Sequence, residues 1–96
     1  MKKISVLAID LGGESGRVIK MDFDGVKFYL EEIHRFPNLP VEASGTTYWD
    51  VLSLWREIQS GIAKSSSVNS LGVDSWGVDF ALLDCHGKLL SNPLHY

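Results

Sequence analysis

A glycine-dense turn at the end of a buried strand constrains the fold of this 96-residue chain more than any other feature. Residues 4–11 are mostly apolar and rich in β-branched side chains, as in a buried strand, and two glycines at 12–13 end the run. Strand-like patterns follow at residues 17–23 and 27–36, separated by an Asp-Gly pair that is a strong hairpin-turn signal. The sequence therefore predicts a three-stranded antiparallel meander.

The hydrophobic pattern changes to a helical period after a loop predicted for residues 36–47, where prolines and a glycine interrupt the chain. The apolar residues of the predicted helix recur at helical spacing: Leu52, Trp55, Ile58 and Ile62. Asp50 stands where its carboxylate can cap the first amides of this helix. Strand patterns resume at residues 68–74 and 78–84, and the second ends in an Asp-Cys-His-Gly turn.

The order of these elements, β-β-β-α-β, is that of the repeating core of the ribonuclease H-like and actin-like superfamily. The predicted fold class is therefore α/β, an actin-like ATPase domain. Many α+β folds share this order, so the order by itself leaves the function open.

Composition limits the kinds of partner that the chain can have. A hydrophobic fraction of 45% and a charged fraction of 22% are those of a globular protein, and one domain is the most that this length can form. A net charge of −3, with acids and bases interleaved, provides no basic stripe for nucleic acid, and no stretch approaches the ~20 apolar residues that cross a bilayer. The lone Cys85 excludes an internal disulfide, which predicts a reducing compartment, the cytoplasm.

Residues 9–17, which read IDLGGESGR, combine a glycine-dense turn with an acid at one end and a cation at the other. Residues 12–17 are named the glycine loop below. Glycines let backbone amides approach a ligand, and consecutive amides form a concave site for phosphate. A serine hydroxyl can add a donor, Arg17 can neutralise phosphate charge, and Asp10 suits a Mg²⁺ ion. These are the parts of an ATP-phosphate site; the alternative is a plain hairpin turn, although such a turn does not require the acid.

Residues 72–80, which read GVDSWGVDF and are named the tryptophan segment, place two acids around a Trp-Gly step. An ordinary buried strand would avoid both charge and glycine. Gly77 can let a sugar approach the main chain, Trp76 can offer its ring face, and Asp79 can accept hydroxyl hydrogen bonds. The alternative is a core role for the aromatic residues, with the acids on a solvated edge.

Four stretches of the sequence together resemble the FGGY carbohydrate kinases, and specifically their rhamnulokinase branch. They are residues 10–17, 33–36 (IHRF), 48–51 (YWDV) and 74–83. The resemblance, which runs from residue 4 to 94, implies transfer of the ATP γ-phosphate to the 1-hydroxyl of L-rhamnulose. It also implies that residues 1–96 are an incomplete, amino-terminal part of the first of two actin-like domains.

The resemblance assigns site residues position by position. The ATP-phosphate contacts fall on Gly13, Glu14, Ser15, Gly16 and Arg17, the metal lies near Asp10, and an early sugar contact falls on Gly77, with Trp76 and Asp79 predicted beside it. For Glu14 the backbone amide is the expected contact, because its carboxylate would repel a triphosphate. The general base and the adenine-binding domain are expected beyond Tyr96, so this chain alone is expected to be catalytically silent.

Three interpretations besides rhamnulokinase stay open at this point. They are another ketose kinase of the family, an actin-like nucleotide-binding module without sugar kinase activity, and a small non-enzymatic binding domain. Elements missing from the chain would leave apolar residues exposed, among them Leu82, Leu89 and Leu90, which predicts self-association.

Some chemically conspicuous residues receive no site role from the sequence. The histidines at 34, 86 and 95 lack ligand-like spacing, so neither a metal nor an acid-base role is predicted for them. Trp49 and Trp55 suit packing of the predicted helix rather than a stacking platform.

Overall fold

A mixed four-stranded sheet with one helix across it makes up most of the molecule. The structure is a computed structural model that describes residues 3–96. Its elements in chain order are β1 (Ile4–Leu11), β2 (Ser15–Phe23), β3 (Phe28–Pro37), β4 (Val41–Ala43), β5 (Thr46–Tyr48), α1 (Val51–Lys64) and β6 (Ser70–Asp74). The sheet order is β3-β2-β1-β6, in which β2 is antiparallel to both neighbours and β6 is parallel to β1. The predicted meander, helix and following strand are therefore present.

The connection between β2 and β3 is the predicted Asp-Gly turn. Asp24 Oδ1 accepts hydrogen bonds of 2.8 Å from the backbone N–H groups of Val26 and Lys27, and Gly25 has a φ of 100°, which glycine tolerates. The hydrogen bonds from Lys27 and Val26 lower the pKa of the Asp24 carboxyl below its ordinary value. The turn is therefore held by an ionised side chain at neutral pH.

Helix α1 begins at the predicted cap. Asp50 Oδ1 accepts a hydrogen bond from the Ser53 backbone N–H at 3.1 Å, which satisfies one of the free amides of the first turn. Among residues 3–96, no helix is long and apolar enough to cross a membrane.

The face that α1 turns to the sheet agrees only in part with the apolar row of the sequence. Ile58 of that row is buried, together with Leu54 and Gly61, whereas the other members of the row are exposed: Leu52, Trp55 and Ile62. The reason is a close contact at Gly61, where a Cβ would lie 2.4 Å from Cγ2 of Val18. Glycine lets the helix backbone approach the sheet, so the helix packs through the row that contains Gly61 and not through its bulkiest apolar row.

The hydrophobic core lies between α1 and one face of the sheet. Alternate residues of β1 and β2 point to this face, as the two-residue period of a strand requires. The buried members of the core are Leu7, Ile9, Val18, Phe36, Leu54 and Ile58. The intervening residues of β1, which include Asp10, point to the opposite face of the sheet.

The loop predicted for residues 36–47 contains a small hairpin that the sequence did not reveal. Strands β4 and β5 pair antiparallel within it. Their connection consists of Ser44, with a φ of 52°, and Gly45, with a φ of 78°. Two positive φ values define a type I′ turn, whose twist matches that of paired strands. The prolines on which the loop prediction rested, Pro37 and Pro40, lie before β4 and do not interrupt it.

The strand predicted for residues 78–84 is wrong. Within the described chain this segment is irregular, and its ladder pairing is limited to an isolated bridge between Leu83 and Leu89. Val78 has a φ of 69°, which a β-branched residue rarely adopts and which turns the chain out of an extended path. The turn predicted to follow is present, because the Gly87 N–H donates to the carbonyl of Asp84 at 3.0 Å.

Some of the apolar side chains on which the prediction of self-association rests are exposed. Leu82 and Leu90 are each 62% exposed, whereas Leu89 is half-buried. The 96-residue chain is expected to associate as its concentration rises, because burying apolar surface contributes about 25 cal/mol per Å². Light scattering against concentration measures this. A monomeric mass throughout, or association that persists unchanged after Leu82→Asn with Leu90→Asn, contradicts the prediction.

Candidate functional site

One cavity joins the two predicted halves of the site. It encloses about 740 Å³ between the glycine loop and the tryptophan segment. Gly13 and Glu14 line it from the loop, and Trp76, Gly77 and Asp79 line it from the segment. The fold brings them together because β1 and β6 are parallel neighbours, so the residues that follow the carboxyl ends of both strands meet at one edge of the sheet.

The glycine loop offers two free backbone amides at this cavity. The Gly12 N–H donates to the carbonyl of Ser15 at 2.9 Å, and a Cβ on Gly12 would lie 2.9 Å from the same oxygen. Within residues 3–96, the N–H groups of Gly13 and Glu14 donate no hydrogen bond. Two consecutive unpaired amides beside a cavity form a candidate anion site.

Gly16 has a packing role that the sequence did not reveal. It is buried, and a Cβ there would lie 2.3 Å from Cζ of Phe36. Ser15, Gly16 and Arg17 are not among the described residues that line the cavity. Of the five residues predicted to contact phosphate, those at positions 13 and 14 line the cavity, and phosphate contacts by all five stay predictions.

Asp10 and Arg17 form an ion pair near the carboxyl end of β1. Arg17 Nη2 donates to Asp10 Oδ2, and both side chains are partly exposed. Asp74 is the register partner of Asp10 on β6, so a second acidic residue lies beside the pair on the same face of the sheet. Carboxylate oxygens suit Mg²⁺, which needs few protein ligands. The described residues contain no cluster of three metal-binding side chains.

Asp79 is held by two tryptophans. Its Oδ2 atom accepts hydrogen bonds from Trp49 Nε1 at 2.9 Å and from Trp76 Nε1 at 2.7 Å, and we name these three residues the double-indole clamp. Both donors bind the same oxygen, and within residues 3–96 the other oxygen, Oδ1, has no protein partner. The Asp79 side chain also lines the cavity. A carboxylate with one anchored and one available oxygen is suited to accept a hydrogen bond from a hydroxyl group.

The aromatic wall of the cavity includes two residues for which the sequence predicted no site role. The rings of Trp49 and Trp76 lie 4.3 Å apart, and the ring of His95 stacks on Trp49, also at 4.3 Å. The His95 N–H donates to the carbonyl of Thr47 at 2.9 Å, and this hydrogen bond holds His95 beside β5. The prediction of helix packing is wrong for Trp55, which is 54% exposed, and incomplete for Trp49.

Asn38 is another cavity residue for which the sequence predicted no role. It follows β3 and is 3% exposed. Its side-chain Nδ2 donates to the carbonyl of Gly12 and its backbone N–H donates to the carbonyl of Glu14, both at 2.9 Å. No local signal could reveal these contacts, because an asparagine between prolines is typical of a plain loop and the partner of its side chain lies 26 residues earlier.

Comparison with known proteins defines the class of the molecule. No protein-family model matches the chain. The structure is similar to a gluconate kinase from Lactobacillus acidophilus, with a TM-score of 0.73 and 13% identity over 97% of this chain and 20% of that one. A carbohydrate kinase from Novosphingobium aromaticivorans gives a TM-score of 0.74 and 23% identity over 100% of this chain and 20% of that one. The fold is therefore that of the matching fifth of these two kinases, and the predicted α/β class is confirmed.

Sequence comparison narrows this class. The chain is 44% identical to a rhamnulokinase from Bacteroides thetaiotaomicron over 98 aligned positions, covering 98% of this chain and 20% of the relative. It is 43% identical to a rhamnulokinase from Halalkalibacterium halodurans over 94 positions, covering 94% and 20%. These matches confirm the resemblance to the FGGY carbohydrate kinases and to their rhamnulokinase branch that the sequence carries. It spans about a fifth of the length of these curated relatives.

Proposed function

We propose that this chain is part of an ATP-dependent kinase that transfers the γ-phosphate of ATP to the 1-hydroxyl of L-rhamnulose. The observation that carries the proposal is the cavity at which the glycine loop and the double-indole clamp meet. The rhamnulokinase relatives support the choice of sugar. The proposal includes that residues 1–96 are the amino-terminal part of the first of two actin-like domains, and that the protein acts in the cytoplasm.

The glycine loop would bind the phosphate end of ATP. The amides of Gly13 and Glu14 are free to donate at the cavity wall, and Ser15, Gly16 and Arg17 complete the proposed contact. The Glu14 side chain is exposed, so its carboxylate can turn to solvent and away from the phosphates.

Asp10 would hold Mg²⁺ at the phosphate end of the site. Asp10 is partly exposed beside Arg17, with which it is paired, and Asp74, its neighbour on β6. Carboxylate oxygens that are open to solvent suit Mg²⁺, because this ion keeps several of its water ligands. The ion, when bound, supplies neutralisation of phosphate charge.

The tryptophan segment would bind the sugar. Apart from Gly77 itself and its two chain neighbours, no heavy atom of residues 3–96 lies within 4 Å of the place where a Cβ on Gly77 would be, so its main chain is open to an approaching ligand. The ring of Trp76 offers an apolar surface to sugar C–H groups, and Asp79 Oδ1 is available to accept from a hydroxyl group.

A coupled assay of ATP consumption by the natural-length protein tests the proposal. L-rhamnulose and other ketoses are compared at matched concentrations, and kcat/KM should be highest for L-rhamnulose, by about tenfold or more. Preference for another ketose would reassign the sugar. Nucleotide binding or nucleotide-driven assembly without any sugar-dependent turnover would overturn the kinase proposal.

Arg17→Met in the natural-length protein is expected to raise the KM for ATP about 10- to 100-fold, because a hydrogen bond to a charged group contributes about 1.5–3 kcal/mol. The KM for the sugar should stay unchanged. Initial rates at saturating sugar measure the effect. Arg35→Met is the matched control, since Arg35 is the register partner of Arg17 and bonds to Glu32. An equal rise of the ATP KM in both variants contradicts the prediction.

A further inference from the structure

Asn38 is a polar residue in an unusually buried position. It follows β3, lines the cavity and keeps only 3% of its surface exposed. Burying an amide side chain is unfavourable unless hydrogen bonds replace those that it makes with water. The contacts of Asn38 therefore indicate what the residue does.

Asn38 binds two carbonyl groups of the glycine loop. Its Nδ2 donates to the carbonyl of Gly12 and its backbone N–H donates to that of Glu14, both at 2.9 Å. The glycine loop also has an internal hydrogen bond, from the Gly12 N–H to the carbonyl of Ser15, and this bond does not involve the carbonyls that Asn38 binds. Within residues 3–96, Asn38 alone supplies hydrogen bonds to the carbonyls at positions 12 and 14.

Because the peptide unit is planar, a hydrogen bond that fixes a carbonyl group also fixes the direction of the N–H group of the next residue. The described chain has no cis peptide bond, and in a trans peptide the C=O of one residue points opposite to the N–H of the next. Fixing the carbonyl of Gly12 thus directs the free Gly13 N–H away from Asn38, and fixing that of Glu14 directs the Ser15 N–H likewise. Without these bonds a glycine-rich loop would sample several peptide orientations.

The other end of the Asn38 amide shows that its donor is the important group. Asn38 Oδ1 is buried and has no protein partner within the described residues. A buried acceptor without a partner is unfavourable, and an apolar residue at this position would avoid that cost. An asparagine here therefore fits a requirement for the Nδ2 donor.

We infer that Asn38 is a positioning residue that holds the glycine loop in its phosphate-binding conformation before ATP arrives. The inference rests on the proposed function of the loop as the ATP-phosphate site. A loop that is already in its binding conformation loses less conformational entropy on binding, and its dipoles stabilise negative charge without reorganising.

Asn38→Asp in the natural-length protein tests the inference, because a carboxylate has nearly the shape of the amide but cannot donate to the carbonyl of Gly12. The KM for ATP should rise about tenfold, while the KM for the sugar stays unchanged. The ratio of mutant to unsubstituted KM should fall toward one as the pH is lowered, because a protonated carboxyl regains a donor. A merely structural role would instead affect the KM values of both substrates alike.

Asn69→Asp is the matched control. It makes the same chemical change at the amino end of β6, where Asn69 Oδ1 accepts from the Ser5 N–H at 2.8 Å and a carboxylate can still accept. Both KM values should stay unchanged in this variant. A second readout needs no ATP: NMR order parameters of the Gly13 and Glu14 amides should fall from about 0.85 toward 0.6 in Asn38→Asp and stay unchanged in Asn69→Asp.

The outcomes separate this inference from the proposed function. An Asn38→Asp variant with unchanged ATP KM and unchanged loop order overturns the inference, and so does an equal effect of Asn69→Asp. Loss of loop order in Asn38→Asp, in a protein that shows no sugar-dependent turnover, would support the positioning of the loop and overturn the kinase proposal.

Discussion

The 96-residue chain by itself is expected to consume no ATP in the presence of L-rhamnulose. It spans about a fifth of the curated relatives that it matches, and the general base and the adenine-binding residues are expected outside it. Phosphoryl transfer depends on positioning and on electrostatic stabilisation by all of these groups at once, so one wall of the site supplies too little of either. A coupled assay of ATP consumption measures the result.

A matched pair of proteins makes this assay decisive. The natural-length protein, assayed beside the chain, shows that the reagents and the sugar support turnover. Any sugar-dependent signal from the chain is then compared with that of its Asp10→Asn variant. Turnover that the substitution abolishes would contradict the prediction, because a contaminating kinase would not respond to it.

The parts of the fold that local chemistry determines could be predicted from the sequence. The apolar run of β1 is rich in β-branched residues and is followed by glycines, which indicates a buried strand, and Asp24 and Asp50 satisfy nearby backbone amides. The failures have the opposite cause. Ser44 and Val78 both adopt positive φ, and nothing in a serine or a valine indicates that conformation.

The buried face of the helix was predicted only in part, for a related reason. Hydrophobic periodicity identifies α1 correctly, but it weights bulky residues and gives a glycine no weight. The contact between Gly61 and Val18 depends on how closely two backbones can approach, which is a property of the assembled pair of elements. A pattern of apolar residues along one strand or helix does not contain that information.

In the candidate site, too, some residues can be recognised from the local sequence and others only from the folded structure. Gly13 and Gly77 lie in glycine-containing segments that follow predicted strands, and such segments can be recognised locally. Trp49 and Asn38 act through partners 30 and 26 residues away in sequence, so their contacts exist only after folding. Trp49 lies in residues 48–51, one of the stretches that resemble the family, so the sequence marked this residue as conspicuous. It did not indicate that the partner of Trp49 is Asp79.

Asp79 combines two roles that different substitutions can separate. Its Oδ2 atom accepts from both indoles of the clamp, and its Oδ1 atom is the proposed acceptor for a sugar hydroxyl. Asn at this position keeps one carbonyl oxygen that can take over the Oδ2 contacts, while its NH₂ group replaces the Oδ1 acceptor. Ala removes both.

Asp79→Ala in the natural-length protein is therefore expected to lower kcat/KM for the sugar by about 100-fold or more. It should also lower the melting temperature, because the indole N–H groups of the buried Trp49 and the half-buried Trp76 lose their acceptor. Asp79→Asn should lower kcat/KM for the sugar about 10- to 100-fold, the effect of losing one hydrogen bond to a charged group, with a melting temperature near that of the unsubstituted protein. In both variants the KM for ATP should change little. Initial rates and thermal unfolding measure these quantities.

Asp84→Asn is the matched control for the change from acid to amide. Asp84 Oδ1 accepts from the N–H groups of His86 and Lys88 in a turn, and an amide oxygen can still do so. This variant should keep both kcat/KM and the melting temperature, because Asp84 is not among the described residues that line the cavity. If Asp79→Asn retains the sugar kcat/KM while Asp79→Ala unfolds early, Asp79 is only the anchor of the clamp, and the proposed sugar contact of Oδ1 is wrong. If instead Asp79→Asn loses sugar turnover at an unchanged melting temperature, the two oxygens of one carboxylate divide the work: Oδ2 fixes the wall of the cavity and Oδ1 binds the substrate.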